Sequence, residues 1–147
     1  MGDCQNRELR VRFDPSLKLR FLGSMVTTDA GLLAYRELDE ALGLTEMSEE
    51  VLGDSRLGRN KQHVLLGLLR QSIYSRLAGY EDVNDAERLC VDPAMRYVVG
   101  GRASREDKQA ASMSEMGRFE TEILSTKPNL KALMDLSGRW IDKAHQR

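Results

Sequence analysis

At 147 residues, with 41% hydrophobic and 31% charged side chains, the chain is long enough for one domain with a real core and is unlike a disordered tail. Its net charge of −1 points to no class of partner until the charges are mapped. No apolar run approaches the roughly 20 residues of a bilayer span, and the start, MGDCQNRELRVRF, lacks the apolar core of a signal peptide. No membrane partner and a cytoplasmic location are therefore expected. Cys4 and Cys90 have no ligand-like spacing and read as free thiols in a reducing compartment.

Leu9, Val11 and Phe13 alternate with Arg10 and Arg12, and Leu17, Leu19 and Phe21 alternate with Lys18 and Arg20, around Asp14-Pro15-Ser16. Period two over short runs predicts two strands and a turn, an N-terminal β-hairpin within residues 1–27. The pattern then becomes helical. Thr28 or Asp29 is placed to cap a helix with Ala34, Tyr35, Leu38, Ala41 and Leu42 on one face, and Gly43 to end it. A loop is expected through Ser48, Gly53 and Gly58. The next helix, about Asn60 to Ala78, is apolar nearly all round and belongs inside a bundle. Gly67 within it suggests the close approach of a neighbour, since glycine costs about 1 kcal/mol there relative to alanine.

The stretch RLAGYEDVNDAERL, from Arg76 to Leu89, carries Glu81, Asp82, Asp85 and Glu87 and raises the question of a metal site. A calcium loop counted from Asp82 fails, because its sixth residue is Glu87 and its twelfth is Pro93. The acids read instead as helix starts: Gly79 follows a helix end, Asn84 and Glu87 have capping-box spacing, and Asp92 caps a helix opened by Pro93. Ser112 with Glu115 begins a further helix that puts Met116, Phe119 and Ile123 on one face. The last helix starts at Pro128. Leu130, Leu133, Met134, Leu136, Trp140, Ile141 and Ala144 share its apolar side, with Lys131, Asp135, Arg139 and Asp142 outside and an expected Asp135–Arg139 pair.

No catalytic constellation assembles in this reading. His63 and His145 have no ligand partner at helical spacing, Ser112 and Ser114 have no base near them in sequence, and Gly100-Gly101-Arg102 is too short for a phosphate loop. The charge map is more informative. Arg56, Arg59, Lys61, Arg70 and Arg76 lie in an acid-free stretch from Ser55 to Tyr80, and Arg102, Arg105 and Lys108 lie in a second basic segment. Arg56, Arg59, Lys61, Arg102, Arg105 and Lys108 fall in polar loops with Ser and Asn, which suits contacts to nucleic-acid phosphates. Arg70 and Arg76 point to different sides of their helix and make no groove-reading stripe.

The blocks Ala78 to Asp82, Asn84 to Ala86, Asp92-Pro93, Ala111-Ser112 and Arg118-Phe119-Glu120, with the earlier TTDAGLLAYRELDEALGL, stand in an order that resembles the N-terminal part of bacterial insertion-sequence DDE transposases. The likeness is to the group often numbered thirteen-eighty, within DDE domain group 1, and it spans about Leu9 to the end. In that family a ribonuclease-H-like domain holds three carboxylates and two divalent metals, magnesium or manganese, that drive strand cleavage and transfer. The first carboxylate lies on a strand soon after the segment matching Trp140-Ile141-Asp142. The resemblance therefore implies a fragment without catalytic residues, metal ligands or cofactor of its own. It implies a mainly α fold, with a helical domain over 28–147 preceding the catalytic domain of a larger ribonuclease-H-like protein.

The partner so implied is DNA, at the terminal inverted repeats; Arg118, in the recognised block, is a reserve contact, its alternative being a pair with Glu122 on its own helix. The rival expectation is a helical structural or oligomerisation module that pairs two protomers as a homodimer and touches no DNA.

Overall fold

A computed structural model describes residues 9–16, 18–19, 29–56, 61–105 and 107–146. Among these residues the protein is mainly α: α1 (Leu32–Leu42), α2 (Leu44–Val51), α3 (Leu65–Leu77), α4 (Ala86–Leu89), α5 (Pro93–Val99), α6 (Met113–Arg118) and α7 (Lys127–His145). A 3₁₀ turn (Val83–Asp85) precedes α4, and a π-helical segment (Phe119–Leu124) continues α6.

The expected N-terminal β-hairpin is not seen. Extended pairing among the described residues is limited to two rungs, Leu9 opposite Leu19 and Arg10 opposite Lys18. Beyond them the chain turns onto α1. The Arg12 backbone N–H donates to the Glu37 carboxylate at 2.5 Å, and Phe13 lies under the Arg36 guanidinium, 5.0 Å from ring centroid to carbon. Phe13 thus serves docking on a helix, while Leu17, Arg20 and Phe21 of the expected second strand lie outside the described residues.

Helix α3 is the centre of the molecule, packing most extensively on α5 and also on α2 and α1. One cluster joins Leu33, Tyr74, Leu89, Met95, Val98 and Val99, and a second joins Leu68, Leu69, Ala86, Met116, Phe119 and Ile123. Half-buried Ile73 touches both. Gly67 is buried, yet a methyl group there would meet Val99 Cγ1 at 3.5 Å, which is ordinary contact. The neighbour is close but does not exclude a side chain, so the expected reason for this glycine does not hold.

Several ends fall where the sequence places them. Asp92 accepts from the Met95 N–H at 2.8 Å with Pro93 in the first turn, and Ser112 accepts from the Glu115 N–H at 3.4 Å. Gly43 closes α1 at φ 71°, and a side chain on it would also strike the Lys143 amine. Other ends differ. Asp29 does not cap α1; its buried carboxylate accepts from the Tyr80 hydroxyl at 3.1 and 3.2 Å. Asn84 does not cap α4; it donates to Asp82, whose carboxylate caps the 3₁₀ turn. The segment expected as loop after Gly43 is α2.

The start of α2 is capped from another helix. Asp39, buried on α1, accepts from the Thr45 N–H at 2.9 Å, the Thr45 hydroxyl at 2.5 Å and the Tyr74 hydroxyl at 2.9 Å. Arg36 and Arg70 lie beside it, and Arg70 Nε donates to Thr45 Oγ1 at 3.2 Å. Burial, reinforced by the Asp39 charge, pushes the Tyr74 hydroxyl well above its ordinary range. Burial and the neighbouring Arg36 lower the Arg70 guanidinium. These donors engage both Asp39 oxygens, so the cluster acts as a strut.

Helix α7 splits its apolar side in two. Leu136 is buried, while Leu130, Met134 and Ile141 are 47%, 78% and 50% exposed. Asn129 fixes its first turn: its amide donates to the Gly53 and Ile123 carbonyls, both at 2.9 Å, and its oxygen accepts from the Gly53 N–H at 2.8 Å. The expected Asp135–Arg139 pair is absent from the ion pairs of the described residues. No helix among the described residues is long and apolar enough to cross a membrane.

Candidate nucleic-acid interface

The two basic segments are distant in sequence and adjacent in space. His63, buried before α3, joins them. Its Nδ1 lies 2.9 Å from a Glu115 oxygen, and its Nε2 lies 2.9 Å from the Gln109 carbonyl. Both neighbours are acceptors, so the doubly protonated ring satisfies the geometry best. The hydrogen bond to Glu115 raises the His63 pKa above its ordinary value, while burial and nearby Arg102 oppose the shift. The same bond lowers Glu115, with smaller help from Arg56 and Arg118. Arg56, Arg102 and Arg118, drawn from three parts of the chain, thus all act electrostatically on one buried pair.

The first loop is organised by Asp54. Its carboxylate takes a two-pronged contact from Arg56, Nε to Oδ1 at 2.8 Å and Nη2 to Oδ2 at 2.9 Å, and a further bond from Lys61 Nζ at 3.0 Å. These donors, Arg56 foremost, hold the Asp54 carboxyl well below the usual carboxylate range. Arg56 Nη1 also donates to the His63 carbonyl at 2.9 Å. Arg56 and Lys61 are consequently placed on this face but partly neutralised. Arg59 lies outside the described residues.

The second loop is held at both feet. Arg96 on α5 donates through Nε to the Ala103 carbonyl at 3.0 Å and through Nη2 to the Arg105 carbonyl. The Ala110 N–H donates to the Cys90 carbonyl at 2.9 Å. Buried Gln71 on α3 pairs with the Ala111 backbone in both directions, accepting its N–H at 2.8 Å and donating to its carbonyl at 2.7 Å. Arg102, just before the first foot, and Arg105, within it, are exposed and have no ion-pair partner among the described residues. Lys108 Nζ sits 2.5 Å from Asp107. Arg118 is exposed at the end of α6.

Other basic residues are consumed internally. Arg76 grips Glu120 with two bonds of 2.8 and 3.0 Å, and the Ser72 hydroxyl donates to the same carboxylate at 2.7 Å. Within Arg118-Phe119-Glu120, then, Phe119 is core, Glu120 ties the π segment to α3, and Arg118 faces solvent.

The acid-rich stretch is a joint. Gly79 turns at φ 89°, Asp82 caps, and Arg88 stacks on the Tyr80 ring at 4.7 Å. Among the described residues no group of three or more His, Cys, Asp and Glu side chains converges as a metal ligand set. Cys90 is free and buried, and burial raises its thiol pKa. Cys4 lies outside the described residues. Sequence patterns had no means of finding Gln71 or Asn129 as organisers, because each acts on a segment brought to it by the tertiary fold, whereas Asp54, two residues before Arg56, was a local signal that the sequence reading passed over.

The structure thus defines a helical protein with two basic loops drawn to one place, and comparison with known families supplies its class. The family model described as "Transposase DDE domain group 1" matches residues 9–147. The chain belongs to that family, and its function is transposase-related. No curated protein and no solved structure matches it.

Proposed function

We propose that this chain is the part of an insertion-sequence transposase of the thirteen-eighty group that holds transposon-end DNA and supports assembly of the transposition complex. The observation that carries the reading is the His63 bridge, which brings the loop of Arg56 and Lys61 beside the loop of Arg102, Arg105 and Lys108. Arg102 and Arg105 are the principal phosphate contacts, Arg118 extends them, and Arg56, Lys61 and Lys108 contribute to the extent that their carboxylate partners release them. Contacts of this kind position a protein on a duplex and do not read its sequence.

Titrating the chain against inverted-repeat duplex at several salt concentrations tests the reading. Affinity is expected to fall linearly on a log–log plot, with a slope of about −0.9 for each phosphate neutralised. Arg102→Ala combined with Arg105→Ala is expected to make that slope shallower. Binding that is absent, or indifferent to salt, refutes the reading. The chain is expected to hold DNA without cutting it, so metal-dependent nicking that chelation abolishes would also refute it.

The rival reading is a helical structural module with no DNA contact. The internal neutralisation of Arg56 and Lys61 by Asp54 favours it, and an unshifted duplex at low salt would select it.

A further inference from the structure

We propose that His63 is a proton-operated clasp between the two basic loops: duplex DNA binding draws a proton onto its ring, and affinity falls as the pH rises. The inference rests on the DNA-binding reading of this face and names what regulates it.

The ring stands between two acceptors. Nδ1 meets a Glu115 carboxylate oxygen and Nε2 meets the Gln109 carbonyl, each at 2.9 Å, and the residue is 7% exposed. An imidazolium has a donor for each of them, whereas neutral imidazole has one N–H and one lone pair. After proton loss a lone pair therefore faces an acceptor oxygen at hydrogen-bond distance, in a buried place where such a mismatch is costly. Whichever nitrogen keeps its hydrogen, one seam opens, at Glu115 on α6 or at Gln109 beside Lys108. The Lys108 N–H donates to the Arg105 carbonyl at 3.0 Å, so a shift at Gln109 carries through that turn to Arg105.

The charges around the pair act in the same direction. Glu115 and Arg118 come from α6, Arg102 from the second loop and Arg56 from the first, while the first turn of α3 brings only Leu65, Leu66, Gly67 and Leu68. With its proton, His63 balances Glu115 and leaves the arginines to an anion outside. Without it, Glu115 is left to Arg56 and Arg118, whose charges already reach that carboxylate, and these cations are drawn inward. A polyanion lying on the loops offsets the Arg102 charge, which disfavours the imidazolium, and so holds the proton in place. Linkage makes the effect mutual: whatever DNA adds to proton affinity, the proton adds to DNA affinity.

Isothermal titration of the full 147-residue chain with inverted-repeat duplex, at one salt concentration and neutral pH in HEPES and again in Tris, reads proton uptake from the difference in heat. The two buffers release protons with different enthalpies. Uptake of a fraction of one proton is expected, and affinity is expected to fall about tenfold from about pH 6 to about pH 8.5. Melting curves at each pH separate loss of grip from loss of fold. His63→Gln has no titrating ring and is expected to bind more weakly, without uptake and without a slope against pH. His145→Gln, at the exposed end of α7, is expected to behave as the parent. Where circular dichroism shows that His63→Gln does not fold, Glu115→Gln takes its place and is expected to reduce the uptake. Heats that agree in the two buffers while the duplex still binds overturn the proposal and leave the DNA reading standing. Uptake that survives in His63→Gln, or in Glu115→Gln where the former does not fold, overturns it too. No binding at any pH defeats the DNA reading, and the clasp with it.

Discussion

His63 reaches Glu115 at 2.9 Å across 52 residues of sequence, and this contact couples the fold to pH. The folded-state pKa of His63 is raised above its ordinary 6.5, chiefly by Glu115. A raised pKa contributes stability that is complete below 6.5 and is lost as pH rises through the folded value. Glu115 is lowered from its ordinary 4.5, so its contribution is present above 4.5 and is lost as pH falls through the folded value. The pair is therefore strongest between 4.5 and 6.5. Urea midpoints measured from mildly acidic to mildly alkaline pH are expected to decline on the alkaline side. Glu115→Gln is expected to flatten that decline; an unchanged slope would show that His63 does not sense Glu115.

Asp54 restrains Arg56 and Lys61, at 2.8 and 3.0 Å. Asp54→Asn keeps the shape of the carboxylate and removes its charge. Duplex affinity is expected to rise and its salt slope to steepen by up to about 0.9 for each cation released. If titrations of the two proteins superimpose, Arg56 and Lys61 do not contact DNA.

Asn129 uses both an acceptor and a donor to hold α7 to Gly53 and Ile123. Asn129→Ala removes three hydrogen bonds, two to Gly53 and one to the Ile123 carbonyl, and is expected to cost about 2 kcal/mol. Asn129→Asp is expected to cost more, about 3 kcal/mol, because a carboxylate would confront two carbonyl oxygens. Denaturant unfolding distinguishes the two, and an aspartate variant as stable as the parent would refute the geometry.

Gly67 lies inside α3 with room for a methyl group against Val99 and Val64. Gly67→Ala is expected to stabilise the protein by about 0.5–1 kcal/mol, since it removes chain freedom in the unfolded state and fills space without displacing a neighbour. A lower melting temperature would mean that α3 and α5 approach more closely than described.

Local chemistry made the helix boundaries at Asp92-Pro93, Ser112, Gly43 and Gly79 legible from sequence, because caps act within a few residues. Helix α2 was hidden by the glycines that flank it, although Leu44, Met47 and Val51 do have helical spacing. Its cap comes from Asp39 on α1, not from a residue just before it. The hairpin expectation failed for a related reason: alternation records which side chains find a neighbour, and for Phe13 that neighbour is α1. The basic loops were visible as composition. Their juxtaposition was not, because it depends on His63 with Glu115 and on Gln71 with Ala111, pairs 52 and 40 residues apart.

Gln71 presents its side-chain amide to Ala111 much as a neighbouring peptide group would, and so stands in for a missing strand. With Arg96 fastening Ala103, the span that carries Arg102, Arg105 and Lys108 is clamped before any anion arrives. A polyanion settling there would freeze few backbone torsions, so encounter costs little conformational entropy and grip depends mainly on charge. Loosening the clamp through Gln71 would weaken capture without removing a single cation.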